Sequence, residues 1–385
     1  MAARPPVPLL IPDLPSPQRL MPYLQRMHEA QLYSNFGPLV RELENRLAQR
    51  FAQHAPVPVA LSTVANATLG LELVLTALSL PPQSRILLPS LTFVATATAV
   101  LRAGHIPVLA DVDIDTWLLT PDIARRAVRE VRVDAVMPVA AFGAPQAMAG
   151  WHAFEQETGI PVVVDAAGAF GSQWLEAPTG TAVFSLHATK SLPAGEGGFV
   201  VSSDAALVAR VRQLSNFGIN LEPGSAMPVG TLASIGSNAK MSEYHAAVGL
   251  ASLDVWDARA AVRRALYAQM QQSLDEAASG TLRWQAVAAP VAAPTLLCLR
   301  LASPEARTAF ERACARGGIG TRRWYQPLLN RMLAVAPHCV CLPTPNATVI
   351  ATDMCGLPFF AAMSADQQKR VAQALHKTTL HPTTA

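Results

Sequence analysis

Over residues 55–205, short apolar runs alternate with alanine-rich segments whose apolar spacing suits helices. The runs at 57–61, 85–89, 107–110, 135–139, 161–165, 182–185 and 198–202 read as short buried strands, with helices predicted at 67–78, 92–103 and 121–128 between several of them. Strand, helix and strand in succession predict an α/β domain, a mostly parallel central sheet flanked by helices on both faces. Ligands of such sheets collect at the carboxyl ends of the strands, which directs the search for chemistry there.

After Met241 the pattern changes. Residues 242–274 carry long helical periodicity, 281–301 return to strand-like runs, and a helix is expected near 304–316. Residues 343–360, with several prolines, read as loop-rich, and 365–376 as a final helix. The expected organisation is an N-terminal arm (1–35) associated with the small domain, a large domain (36–255) and a smaller α+β C-terminal domain (256–385).

Composition adds to this picture mainly by exclusion. Hydrophobic residues make up 51% of the 385 and charged ones only 15%, so much of the chain is expected in a core or a subunit interface. An oligomer, a homodimer, is the expectation. The 30 basic and 27 acidic residues are spread without a basic block, which argues against nucleic acid. Apolar stretches are cut by Pro, Gly or charge well short of the roughly 18 residues of a membrane span, and the proline-rich start lacks the apolar core of a signal peptide. A cytoplasmic protein is expected. Five cysteines, Cys298, Cys314, Cys339, Cys341 and Cys355, form no C-x-x-C pair and read as reduced thiols, with no metal site.

Three segments carry candidate chemistry. Lys190 ends the run Ser185-Leu186-His187-Ala188-Thr189-Lys190 and precedes Gly195-Glu196-Gly197-Gly198, a constrained turn suited to a lysine that attacks an aldehyde. Alone, a lysine before glycines is more often a solvated loop charge. Asp165 ends the apolar run 161–165, where a carboxylate can keep a pyridine nitrogen protonated, or can simply cap the next helix. Asn66-Ala67-Thr68 follows a strand and opens an apolar helix, whose free N–H groups suit a phosphate.

The order of these motifs resembles the DegT/DnrJ/EryC1/StrS family of pyridoxal-phosphate (PLP) dependent sugar aminotransferases, a branch of the fold type I aminotransferases. The match runs from Ser34-Asn35-Phe36-Gly37-Pro38 through Asn66-Ala67-Thr68, Pro89-Ser90-Leu91-Thr92-Phe93, Asp165-Ala166-Ala167 and the Lys190 motif. It continues through Asn216-Phe217-Gly218 and 238–243 to Leu357-Pro358. The resemblance implies that Lys190 holds PLP as a Schiff base and shuttles a proton, that Asp165 pairs with the ring nitrogen, and that His187 lies near the lysine. It further implies that Phe93 stacks on the ring, although an aromatic between Thr92 and Val94 is more often core. Ala67, Thr68 and Ser185 are implied to bind the phosphate, helped by Asn238 of a second subunit. Gly168 departs from the family: many relatives carry Gln or His there, a contact to the cofactor's ring oxygen.

The implied reaction is ping-pong transfer of an amino group from an amino acid, L-glutamate by family habit, to a nucleotide-linked keto-sugar. Phe36 and Gly37, with Arg323, Trp324 and Tyr325, are candidates on the sugar side, or ordinary surface residues. Two alternatives stand beside it. Some relatives dehydrate sugars with PLP, but those replace the Schiff-base lysine by histidine. A PLP-binding regulator without turnover would need less than the intact set of Lys190, Asp165 and phosphate loop.

Overall fold

In the computed structural model, which describes residues 4–224 and 227–380, the apolar runs form strands β1 (Ala60–Val64), β2 (Arg85–Pro89), β3 (Ile106–Ala110), β4 (Ala135–Val136), β5 (Val164–Asp165), β6 (Thr181–Ser185) and β7 (Gly198–Ser202). Three further strands follow, β8 (Leu297–Arg300), β9 (Val340–Cys341) and β10 (Met354–Leu357). Hydrogen bonds order them β1-β7-β6-β5 and β4-β2-β3-β9. Single parallel bridges Val136–Val162 and Val139–Asp165 join β4 to β5, making one continuous sheet. Its pairings are parallel except that β7 runs against both β1 and β6. Strands buried on both faces need apolar residues at every position, and Ile86, Leu87, Leu88, Val108 and Leu109 are all fully buried. Each such side chain contributes about 1.5–3 kcal/mol of burial.

Helix Ala67–Ala77 crosses one face so closely that a Cβ on Gly70 would stand 2.9 Å from Val183 Cγ1. β8 and β10 pair antiparallel in a separate sheet, packed with helices Trp256–Ala277, Pro304–Arg316 and Ala365–Leu380 around Leu299, Phe310 and Leu375. The N-terminal segment touches both parts. Val7 exchanges backbone bonds with Gly318 and Gly320, and Leu9 O accepts from Phe359 N, whereas helix Pro17–Ala30 packs on helix Glu243–Leu253.

Three expectations need correction. Pairing expected at 57–61 starts at Ala60, because Pro56 and Pro58 have no N–H to offer a ladder. Of the strand-like stretch 281–301 only Leu297–Arg300 pairs as a strand, after Pro290 and Pro294. The loop expected at 343–360 holds helix Pro345–Asp353 and β10 instead. Pro345 sits in the first helical turn, where its missing N–H costs nothing, and the Asp111 carboxylate caps Asn346 N and Ala347 N at 3.0 and 2.8 Å.

Candidate active site

Asp165 closes β5 with its backbone tied on both sides: its N–H reaches Pro138 O, its carbonyl accepts from Ala140, and Ala166 N reaches Val183 O. This clamps the carboxylate at the sheet's carboxyl edge, 5% exposed. Thr96 Oγ1 donates to Oδ2 at 2.8 Å and Ala167 N to Oδ1 at 3.2 Å. Burial raises its pKa, with Thr96, Ala167 and the charge of Lys190 opposing the rise. Sequence reasoning missed Thr96. Its signal was the helical spacing of Thr92 and Thr96, whose hydroxyls lie 3.0 Å apart.

Lys190 sits on the connection from β6 to β7. Backbone bonds Leu186 N to Gly197 O, Ala188 N to Gly195 O, Lys190 N to His187 O and Ala194 N to Leu186 O close this connection on itself. Gly195 takes φ +81°, open to glycine at little cost. Ser191 Oγ ties the next residue to Phe170 O at 3.2 Å. The Lys190 side chain is largely enclosed by protein but keeps part of its surface accessible. Burial lowers its pKa and Asp165 opposes that shift. A neutral amine is the nucleophilic form. His187 shares a hydrogen bond of 2.9 Å with Thr189 Oγ1, and its Nε2 lies 3.7 Å from Glu196 at the rim.

A third element comes from sheet register. Gly198 is opposite Val64 on one side and Ser185 on the other, so the ends of β1, β7 and β6 meet. Ala67 and Thr68 start the next helix there, beside Ser185. Asn66 caps Leu69 N at 2.9 Å, and the N–H groups of Ala67 and Thr68 stand in the first turn, without an acceptor inside the helix, at its positive end. Gly198 is required by the close approach: a Cβ would stand 2.8 Å from Ala67 N and 2.7 Å from Phe184 O.

Phe93 precedes helix Val94–Arg102 with 54% of its surface open, 6.3 Å between ring centroids from Tyr325. Tyr325 stacks on Phe142 at 5.2 Å. Burial and the charges of Cys298 and Asp165 raise its phenol pKa. The two residues before it have further partners of their own, although Trp324 also meets the Tyr325 ring edge-on at 6.0 Å. Arg323 grips Glu311 at 2.6 and 2.9 Å, and Trp324 lies under the Arg322 guanidinium at 4.4 Å. Phe36 is buried beneath the Arg212 guanidinium at 4.1 Å, and Gly37 packs against the Glu243 carboxylate, which caps Leu39 N and Val40 N. Asn238 lies exposed on the surface of the same chain, its Oδ1 accepting from Lys240 Nζ at 2.8 Å. Gly168 has room: the nearest atom to a Cβ there is Gly143 N at 3.8 Å.

The donor set fits PLP. A buried carboxylate suits a protonated ring nitrogen, an amine held toward its neutral form suits the aldehyde, and helix N–H groups with a serine suit the phosphate. Among the described residues no group of three or more His, Cys, Asp or Glu could hold a metal, and no helix is long and apolar enough to cross a membrane.

Residues 17–376 match the family model of the DegT/DnrJ/EryC1/StrS aminotransferases. Protein Rv3402c of Mycobacterium tuberculosis is 30% identical over 97% of this chain and 90% of its own length. DesI, solved in the presence of its TDP-sugar product, is 31% identical with a TM-score of 0.83, covering 99% of this chain and 95% of its own. DesV of S. venezuelae, solved in complex with a ketimine intermediate, is 25% identical with a TM-score of 0.81, covering 98% and 99%. With the family model spanning nearly the whole chain, the chain belongs to the DegT/DnrJ/EryC1/StrS aminotransferase family and is a PLP-dependent transaminase.

Proposed function

We propose that this enzyme transfers an amino group from L-glutamate to a keto-deoxysugar linked to a nucleotide, in two half-reactions of ping-pong type. The observation that carries the reading is a buried Asp165 whose charge acts on the Lys190 amine, in a chain 31% identical, over 99% of its length, to DesI, solved with a TDP-sugar product. PLP supplies an electron sink when bound. In this reading Lys190 attaches the cofactor and, once released, moves a proton to and from the amino-bearing carbon of the substrate. Asp165 holds a proton on the ring nitrogen, and Thr96 holds Asp165. Ala67, Thr68 and Ser185 bind the phosphate, and Phe93 lays its open face on the ring. Tyr325 remains the candidate on the sugar side, because Arg323 and Trp324 are engaged elsewhere. The same reading takes the enzyme as a homodimer in which Asn238 serves the partner's phosphate site.

Remote binding of the nucleotide and diphosphate orients the keto group, so a free keto-sugar should lose several orders of magnitude in kcat/KM while the glutamate half-reaction is unchanged. Stopped-flow measurement of each half-reaction, with nucleotide-linked and free 3- and 4-keto-6-deoxy sugars, tests this. Equal rates for free sugars or simple 2-oxo acids would remove the nucleotide-sugar assignment.

A further inference from the structure

Away from the catalytic cleft, the small domain holds a second concavity of about 840 Å³, lined by Arg4, Arg312, Arg316, Arg370 and Lys377, with no Asp or Glu in its wall. Arg312 and Arg316 stand one turn apart on helix Pro304–Arg316, and Arg370 and Lys377 two turns apart on helix Ala365–Leu380, so two cationic rows face one space. Like charges at this spacing repel. None of the five forms an ion pair among the described residues, and residues 1–3, 225–226 and 379–385 contain no Asp or Glu that could supply one.

Arg370 makes the case independently of the surface cations. Charged groups taken out of water are ordinarily paired. Three other buried arginines obey this: Arg263 faces Asp13, Arg300 faces Asp353, and Arg307 faces Glu311. Among the described residues, Arg370, 9% exposed, hydrogen-bonds only to the carbonyls of Pro5 and Gly317, each at 2.8 Å. Helix dipoles favour Arg316 and Lys377 in the last turns of their helices, but do not account for Arg312 or Arg370.

We propose that this cleft is a binding site for a small molecule carrying two linked phosphates, with Arg312, Arg316, Arg370 and Lys377 supplying the charge. Each cationic row spans roughly 6–10 Å at 1.5 Å per residue, wider than one phosphate. The cluster is confined to a hollow in a chain of otherwise balanced charge, 30 basic against 27 acidic residues, which favours a compact ligand over a nucleic-acid backbone.

Calorimetric titration of the PLP-loaded enzyme with inorganic pyrophosphate tests the proposal. Arg312 and Arg316 are exposed and remote from the catalytic residues, so Arg312→Ala/Arg316→Ala should leave the amino-acid half-reaction unchanged while weakening one pyrophosphate-binding event at least tenfold. Arg312→Lys/Arg316→Lys should retain most of it. A binding isotherm identical in wild type and the alanine pair, or no binding by the wild type, overturns the site. Displacement by chloride as effective as by sulfate at equal ionic strength would reduce it to a charged surface. An RNA oligonucleotide bound more tightly than pyrophosphate, and lost in the same variant, would overturn the small-molecule assignment.

Discussion

Thr96 and Asp165, 69 residues apart in sequence, meet through a 2.8 Å hydrogen bond that holds the carboxylate at the end of β5. The donor lies on a helix and the acceptor on a strand, so the bond also sets how helix Val94–Arg102 sits on the sheet. Thr96→Val keeps the shape and deletes the donor. A hydrogen bond to a charged group is worth about 1.5–3 kcal/mol, so PLP affinity should fall by roughly tenfold or more. Because Thr96 lowers the Asp165 pKa against the effect of burial, the variant should also lose cofactor at a higher pH on acidification. Equilibrium titration of PLP by absorbance across pH checks both.

Lys190 should attach PLP with a pH dependence set by its own amine. Burial lowers its pKa, so the attachment rate of the apoenzyme should rise with pH and level off at a midpoint below the ordinary lysine value of 10.5. Between that midpoint and 10.5 the unfolded chain binds more protons than the folded one, so Lys190 makes the apoprotein gain stability as pH rises. Borohydride trapping followed by peptide mass spectrometry should locate the adduct at Lys190. Lys190→Ala should bind PLP without an adduct, and an adduct in that variant would contradict the assignment.

Gly198→Ala should damage the phosphate site through the backbone alone. The added methyl would press on Phe184 O and Ala67 N, two atoms that cannot swing aside. Overpacking of this kind costs about 1–3 kcal/mol. The expected outcome is a folded protein with a lower melting temperature and much weaker PLP binding, measured by calorimetry with and without cofactor.

Around the Asn238 segment, Phe217, Val229, Leu232 and Ile235 expose large apolar side chains, Ile235 to 89%. Exposed apolar side chains of this size favour association, so light scattering should give a dimer. Mixing Lys190→Ala with Asn238→Ala subunits should restore activity in hybrid dimers. No recovery after proven subunit exchange would place the Asn238 contact within one chain.

What could be read from the sequence was what depends on local pattern. Asp165 at a strand end and Lys190 before a glycine-rich turn are both marked by their immediate neighbours. Helix Pro345–Asp353 was hidden because its cap, Asp111, is supplied from 235 residues away in the chain. Thr96 was hidden for the same reason, since its partner is 69 residues distant. Arg323 and Tyr325 are near neighbours in sequence, yet one meets Glu311 on helix Pro304–Arg316 and the other Phe93 at the start of helix Val94–Arg102. Only packing separates them.

The reversed direction of β7 bears on when the enzyme can first capture its cofactor. Because β7 runs back between β1 and β6, Ala67, Ser185 and Gly198 come together only after chain through Ser202 has been made and the sheet has closed around it. A nascent chain that stops short of that point has the phosphate-binding helix but not the strand that seats it. Ligands bound only by the native state stabilise it by mass action, so bound PLP would favour the closed junction of β1, β7 and β6 over a sheet that has not yet joined there. Capture of the phosphate therefore depends on the closure of three strands rather than on the helix alone.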